Sequence, residues 1–265
     1  MALLQRKWIL VLAGVGAAGL GLLTLQLNAA CPRQARSCTR VLFVGNSYTT
    51  VNDLPSVFNN LARSGGHPVE TGTAAGDGWT LADHAGSTAT TAMLASAKWD
   101  IIVLQEQSQI PSVAQFRETE MYPAARQLVG RIRNLGARPI FYLTWARRDG
   151  WPENGMPDYA SMQAAIDVGY LAIAGEQRAT VAPVGDAWSA LLGQELPTTL
   201  WQEDGSHPTA AGTYLAACVF YATIFRESPA NLGYHAGLPA DEAAKIQEVA
   251  AATVLGDPAK WPLRD

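Results

Sequence analysis

No Cys-x-x-Cys pair occurs in this chain, and cysteine is scarce throughout, with three residues in 265. A structural zinc site built on paired thiolates therefore has no sequence basis, and no metal is expected. Lysine and arginine form no long run, and the charge balance is slightly acidic, 19 basic against 23 acidic residues. A nucleic-acid partner thus lacks electrostatic support. Internal repeats are missing, and so are low-complexity tracts beyond the N-terminal leader. What remains is an ordinary globular mixture, 48% hydrophobic and 16% charged, with enough apolar surface for a sizeable core. The length suits one large α/β domain better than two small ones.

One stretch has no charge at all. Arg6 and Lys7 precede the segment Trp8 to Leu27, in which only Thr24 and Gln26 are clearly polar. An apolar run of about 20 residues is long enough to cross a bilayer as a helix. The same charged start, followed by the small residues Ala29 and Ala30, suits a secretory signal. Lipidation of Cys31 is a third route, although Asn28 stands where a lipobox wants an aliphatic side chain. Each route exports the rest of the chain to the periplasm, the cell surface or the medium, with membrane anchoring as one outcome. The expected organisation is a signal peptide or anchor over 1–30, a linker over 31–39 and one folded domain over 40–265. Cys31 and Cys38 flank the linker and can close a small loop in an oxidising compartment. Cys218 lies in the apolar run Tyr214 to Phe225 and reads as a buried small hydrophobe.

Strand-like and helical patterns alternate along the folded part. "RVLFVG" is β-rich and stops at Gly45. Helical spacing comes next at Leu54, Val57, Phe58 and Leu61, ended by Gly65 and Gly66. "PVETGTAA" is a weaker strand, and the segment after Thr80 turns helical in its later part. "WDIIVLQ" is a continuous apolar run, as expected of a strand buried on both faces. An amphipathic helix comes after it, with Pro123 early and Gly136 just past its end. "RPIFYLTW" and "ATVAPVG" are further strands, separated by a helix from Asp158 to Gln177. Two more helices begin near His207 and Ala240. This alternation implies βαβ units and a parallel sheet of about five strands, in the flavodoxin-like order 2-1-3-4-5, with helices on both faces. In such sheets ligands bind beyond the carboxyl ends of the strands.

The first of those ends carries Gly45, Asn46 and Ser47. A hydroxyl on a strand-to-helix turn is exposed and lies near a helix N-terminus that favours developing negative charge. Alone, Ser47 reads more readily as a helix cap than as a nucleophile. Near the other end of the chain, "WQEDGSHPTAAG" puts Asp204 and His207 on one tight turn before a helix. A hydrolytic serine needs a base for its proton, and the base needs a carboxylate to orient its ring.

Gly-Asn-Ser early and Asp-x-x-His-Pro late together resemble the SGNH hydrolase superfamily, the GDSL esterases and lipases, over about Val41 to Phe225. The resemblance implies a three-layer α/β/α sandwich, Ser47 as nucleophile, and Asp204 and His207 as its partners. It also implies an oxyanion hole of three donors: the Ser47 amide, a glycine amide after the second strand, and usually an asparagine side chain after the third. Gly78, in Gly78-Trp79-Thr80, fits the Gly-x-Thr pattern better than Gly76 does. The third strand departs from the pattern, because Gly-x-Asn-Asp is absent and "IIVLQEQSQIPS" stands in its place. Gln105, Gln107 and Gln109 all offer an amide donor. Matching the Gln-Gly-Glu motif of sialate and carbohydrate acetylesterases puts the donor at Gln107, with Gln105 next. Glu106 is expected to lie buried beside it.

The loop after the fourth strand holds Trp145, Arg147, Arg148 and Trp151. Aromatic rings with guanidinium groups suit sugar faces or an acidic substituent, and Trp145 and Arg147 are the expected substrate contacts. His67, His84 and His235 lack a partner at catalytic spacing and read as surface or turn residues. The resulting expectation is an exported serine esterase for small acyl or carbohydrate esters, including O-acetyl groups, working without metal or organic cofactor. Acyl transfer to envelope polysaccharide by the same three residues is one alternative. A catalytically silent glycan-binding domain is another.

Overall fold

The computed structural model describes residues 23–28, 31, 38–194, 199–257 and 259–262. Most of the uncharged stretch 8–27, Ala29 and Ala30, and the inner linker 32–37 lie outside the described residues. Six strands form one sheet: β1 (Leu23–Asn28), β2 (Thr39–Gly45), β3 (Val69–Gly76), β4 (Ile101–Leu104), β5 (Arg138–Leu143) and β6 (Thr180–Pro183). Their spatial order is β1-β3-β2-β4-β5-β6. The five strands from β2 onward are all parallel and give the order 2-1-3-4-5 among themselves. β1 is added antiparallel on the outer edge of β3, with Leu23 opposite Gly76 and Asn28 opposite Thr71. The sheet thus reaches back into the end of the uncharged stretch, where "LTLQLN" alternates leucine with polar residues, a period suited to a strand.

The helices are α1 (Ser47–Thr50), α2 (Leu54–Ser64), α3 (Leu81–Gly86), α4 (Thr88–Ala95), α5 (Ala114–Phe116), α6 (Tyr122–Asn134), α7 (Tyr159–Gln177), α8 (Val184–Leu192), α9 (Ala210–Phe225) and α10 (Ala240–Leu255). A single π-helical turn, Arg117–Met121, joins α5 to α6. The segment after Thr80 makes two helices rather than one, because Ser87 leaves helical geometry and caps α4 by accepting from the Thr90 amide. α8 has no counterpart in the sequence reading. It starts directly at the end of β6, with no turn residues to mark the change.

Strand alternation sends neighbouring side chains to opposite faces. Val41 and Phe43 of β2 pack with α2, α8, α9 and α10, whereas Leu42 and Val44 pack with α3, α4, α6 and α7. On the first side Phe43 meets Phe58 and Phe220 edge to face, with ring centroids 5.8 and 5.3 Å apart. Such pairs add about 0.5–1.5 kcal/mol to simple burial. α9 is apolar all round because α2, α8 and α10 enclose it against the sheet, and Cys218 lies fully buried within it. Among the described residues no helix is long and apolar enough to cross a membrane. Cys31 and Cys38 are joined by a disulfide, and the Cys31 amide donates to Glu70 at the start of β3. This link lies at the amino ends of the parallel strands, opposite the edge that carries Ser47.

Candidate active site

β2 ends at Gly45, and Asn46 turns the chain into α1 so that Ser47 is its first residue. The Asn46 carboxamide oxygen accepts from the Tyr48 amide at 3.1 Å, and its nitrogen donates to the Trp79 carbonyl at 2.9 Å. Gly45 is required by what packs on it. A Cβ there would stand 2.4 Å from the Gln105 side-chain oxygen and 2.6 Å from the Thr49 hydroxyl. From the other side, His84 donates Nε2–H to the Gly45 carbonyl at 2.8 Å and accepts at Nδ1 from the Thr90 hydroxyl at 2.9 Å. His84 is fully buried rather than a surface or turn histidine, and burial lowers its pKa to about 4, which keeps the ring neutral.

The second half of the site is the turn before α9. Gly205, at φ +66°, makes the reversal that puts Asp204 beside His207. One carboxylate oxygen of Asp204 accepts from the Ser206 and His207 amides at 2.9 and 3.0 Å. The other accepts from His207 Nδ1 at 2.5 Å. Burial works to raise the Asp204 carboxyl, but the His207 ring and the two amides outweigh it and hold it at about 2. The remaining ring nitrogen, His207 Nε2, stands 2.9 Å from Ser47 Oγ. Asp204, His207 and Ser47 are therefore in hydrogen-bonded series across 160 residues of sequence.

The turn is fastened from several directions. Arg148 N–H donates to the Gly205 carbonyl at 2.8 Å, and Trp145 Nε1–H donates to the Ser206 carbonyl at 2.9 Å. The Tyr48 and Ser206 hydroxyls are bonded at 2.7 Å. Trp145 is not a substrate contact, contrary to the sequence expectation. It is fully buried, stacked between Tyr48 at 4.6 Å and Trp188 at 4.1 Å, and supports the turn from behind. A loop position after a strand suggested exposure, but the indole fills the space that α8 leaves beside the sheet.

Ser47, Gly78, Gln107, Arg147 and His207 all line one cavity of about 530 Å³ at the carboxyl edge of the sheet. Apart from Tyr48, Val51 and Gly78, every lining side chain is polar. Gly78 sits at φ +70°, and among the described residues neither its amide nor the Ser47 amide has an acceptor. Gly76 has a different use: a Cβ there would collide with the Trp79 ring at 2.6 Å.

The two glutamines after β4 differ sharply. Gln105 is fully buried, with both ends spent. Its oxygen accepts from the Asn46 amide at 2.9 Å and the Thr49 hydroxyl at 3.0 Å, and its nitrogen donates to Asn46 Oδ1 at 2.8 Å and the Glu106 carbonyl at 2.7 Å. No amide hydrogen is left for a ligand. Gln107 is half-buried, and its oxygen accepts from the Gln109 and Ile110 amides at 2.7 and 3.3 Å. Its nitrogen is the end left to donate.

Glu106 lies fully buried between them and the glycine loop. One of its oxygens accepts from the Leu81 amide at 3.0 Å and the Gln107 amide at 2.7 Å, tying both loops together. Burial raises its pKa to about 8. Arg147 donates to the Gln109 side chain at 3.0 Å. Arg148 is exposed and pairs with Asp149, and Trp151 is half-buried in a small bridge to Met156. His67 stacks on Phe225 and bonds to Glu227, far from the cavity in the fold. Among the described residues no cluster of three His, Cys, Asp or Glu side chains is placed to hold a metal ion.

The chain matches no family model. It matches no curated protein either. Solved structures do resemble it. A protein from Slackia heliotrinireducens, assigned as an SGNH hydrolase, is 29% identical, with a TM-score of 0.58 over 71% of this chain and 99% of its own. A DUF4886 family protein from Bacteroides uniformis has a TM-score of 0.73 at 18% identity, over 82% of this chain and 95% of its own. TesA has a TM-score of 0.51 at 19% identity, over 70% of this chain and 98% of its own.

Proposed function

From a chain with the SGNH-type hydrolase fold, in which Ser47, His207 and Asp204 stand in hydrogen-bonded series, we propose an exported serine esterase that hydrolyses small acyl esters. O-acetyl groups on carbohydrate are the favoured substrates. The 2.9 Å approach of His207 Nε2 to Ser47 Oγ carries the reading.

The reaction follows from the positions. Ser47 Oγ attacks the ester carbonyl as His207 Nε2 takes its proton, and the Asp204 carboxylate steadies the imidazolium through Nδ1. Negative charge gathers on the carbonyl oxygen, where the Ser47 and Gly78 amides and the Gln107 amide nitrogen are the donors on hand. Each such donor is worth roughly 3–4 kcal/mol in the transition state. His207 passes its proton to the departing alkoxide, leaving the acyl group on Ser47. Water then attacks the acyl carbon as His207 takes its proton, and the Ser47 Oγ–acyl bond breaks as His207 returns that proton to Oγ, releasing the carboxylic acid.

Hydroxyl, amide and charged side chains around Ser47, with Val51 and Tyr48 the apolar side chains among them, support a short acyl group on a hydroxylated alcohol. The disulfide between Cys31 and Cys38 supports an oxidising compartment and hence export. Replacing Ser47 by alanine is expected to lower hydrolysis of 4-nitrophenyl acetate at least about 10⁴-fold. Undiminished turnover by that variant would refute the mechanism.

A further inference from the structure

The cavity is lined by one guanidinium, Arg147, which no carboxylate contacts among the described residues. Arg147 forms no ion pair among the described residues, while its neighbour Arg148 takes Asp149. Among the described residues only one of its five N–H donors has an acceptor, the neutral oxygen of Gln109 at 3.0 Å, and Nε is buried with none. Its backbone is held on both sides: Ala146 N–H donates to the buried Gln163 at 2.7 Å, and Arg148 N–H donates to Gly205 at 2.8 Å. The side chain cannot swing away to solvent without leaving its Gln109 bond. Asp204, the carboxylate in series with His207 and Ser47, already serves His207 and two amides. Asp77 lines the same cavity but is exposed, so solvent screens it.

A bond to one glutamine needs no permanent charge, and Arg147 is half-buried with its Nε–H sealed from water and given no acceptor among the described residues. A planar fork of N–H donors is, however, matched to a carboxylate, which it binds through two parallel bonds. We infer that Arg147 is an anion-recognition residue, and that the enzyme selects esters bearing a carboxylate elsewhere in the same molecule, as in an acylated uronic or hydroxy acid. This rests on the esterase reading above and narrows its substrate class. The carboxylate seats on the Arg147 fork while the ester carbonyl meets Ser47, so one end of the substrate orients the other.

Two matched pairs of chromogenic esters test this. In the first, 4-nitrophenyl acetate carries a ring carboxylate or its methyl ester, charging the alcohol half. In the second, the 4-nitrophenyl ester of succinate is used free or as its methyl ester, charging the acyl half. The expected result is a kcat/KM preference of about tenfold or more for the carboxylate in at least one pair. The preference should shrink with added salt, collapse toward unity in Arg147→Met and survive in part in Arg147→Lys. Labelling of Ser47 by a fluorophosphonate probe in each variant checks that the site is assembled. Hydrolysis of the neutral esters with no preference in either pair overturns the inference and leaves the esterase reading standing. So does probe labelling without turnover of either carboxylated ester. Absence of both labelling and hydrolysis in the wild-type protein removes the esterase reading, and this inference with it.

Discussion

Gln105 and Gln107 stand two positions apart and do opposite things. Gln105 holds the nucleophile turn from beneath, whereas Gln107 is pinned by its oxygen so that its nitrogen remains to donate. Removing each should fail in a distinct way. Gln107→Ala is expected to lower kcat on 4-nitrophenyl acetate by about 10²–10³ while the melting temperature stays close to wild type. Gln105→Ala strips partners from the buried Asn46 amide and side chain, at about 1–3 kcal/mol for each group left unpaired. It is expected to melt several degrees lower. Equal thermal shifts in the two variants would refute the division of labour. The sequence carried the Ser47, Asp204 and His207 pattern because chemistry ties those residue types to fixed spacings. The glutamines are ranked only through the resemblance, which puts Gln107 ahead of Gln105; spacing alone does not separate them, since the choice depends on how the turn after β4 orients each side chain. Nor did the sequence mark His84, whose role is a bond to a carbonyl 39 residues away.

The elements most legible in advance were those with a strong period or a punctuating residue. α2 has its Asp53 cap and its leucine spacing, and β4 is a short run of apolar residues buried on both faces. β1 and α8 were harder, because neither is announced by a turn residue. The Trp145 loop was misjudged for a related reason: position after a strand suggests exposure, yet packing against α8 decides the outcome. Trp145 supports the segment between β5 and α9 through its stack and through the Ser206 carbonyl. Trp145→Ala is expected to cost about 3–5 kcal/mol in denaturant unfolding, as large aromatic truncations in a core do. Because the indole does not face the cavity, KM for a small ester should move less than kcat. A variant with unchanged stability and raised KM would place the indole in the binding site after all.

Two buried titrating groups shape the stability of the molecule as pH changes. Glu106 is raised from 4.5 to about 8, so between those values the folded state keeps a proton that the unfolded chain has lost. Stability therefore falls as pH rises through that window. His84 is lowered from 6.5 to about 4, so there the unfolded chain holds the extra proton, and stability falls as pH drops through its window. The two slopes oppose each other between 4.5 and 6.5, and Asp167, raised by burial from 3.8 to about 6, adds to the fall with rising pH over most of that range. Glu106→Gln keeps an acceptor for the Leu81 and Gln107 amides but cannot ionise. Its melting temperature is expected to hold steady from pH 6.5 to 8, where the wild type falls. Parallel melting curves across that range would contradict the assignment.

The separation of 160 residues between Ser47 and His207 has a meaning in time as well as in space. A ribosome adds about 5–20 residues per second. Ser47 of a nascent chain thus waits roughly 10–30 s for His207 to be made. β2, which presents Ser47, must also wait for β3 and β4, the strands that flank it. Until the turn at Asp204 arrives, the serine has no partner to take its proton. On the mechanism proposed above, activity begins only when the later part of the chain has folded back onto its earlier one.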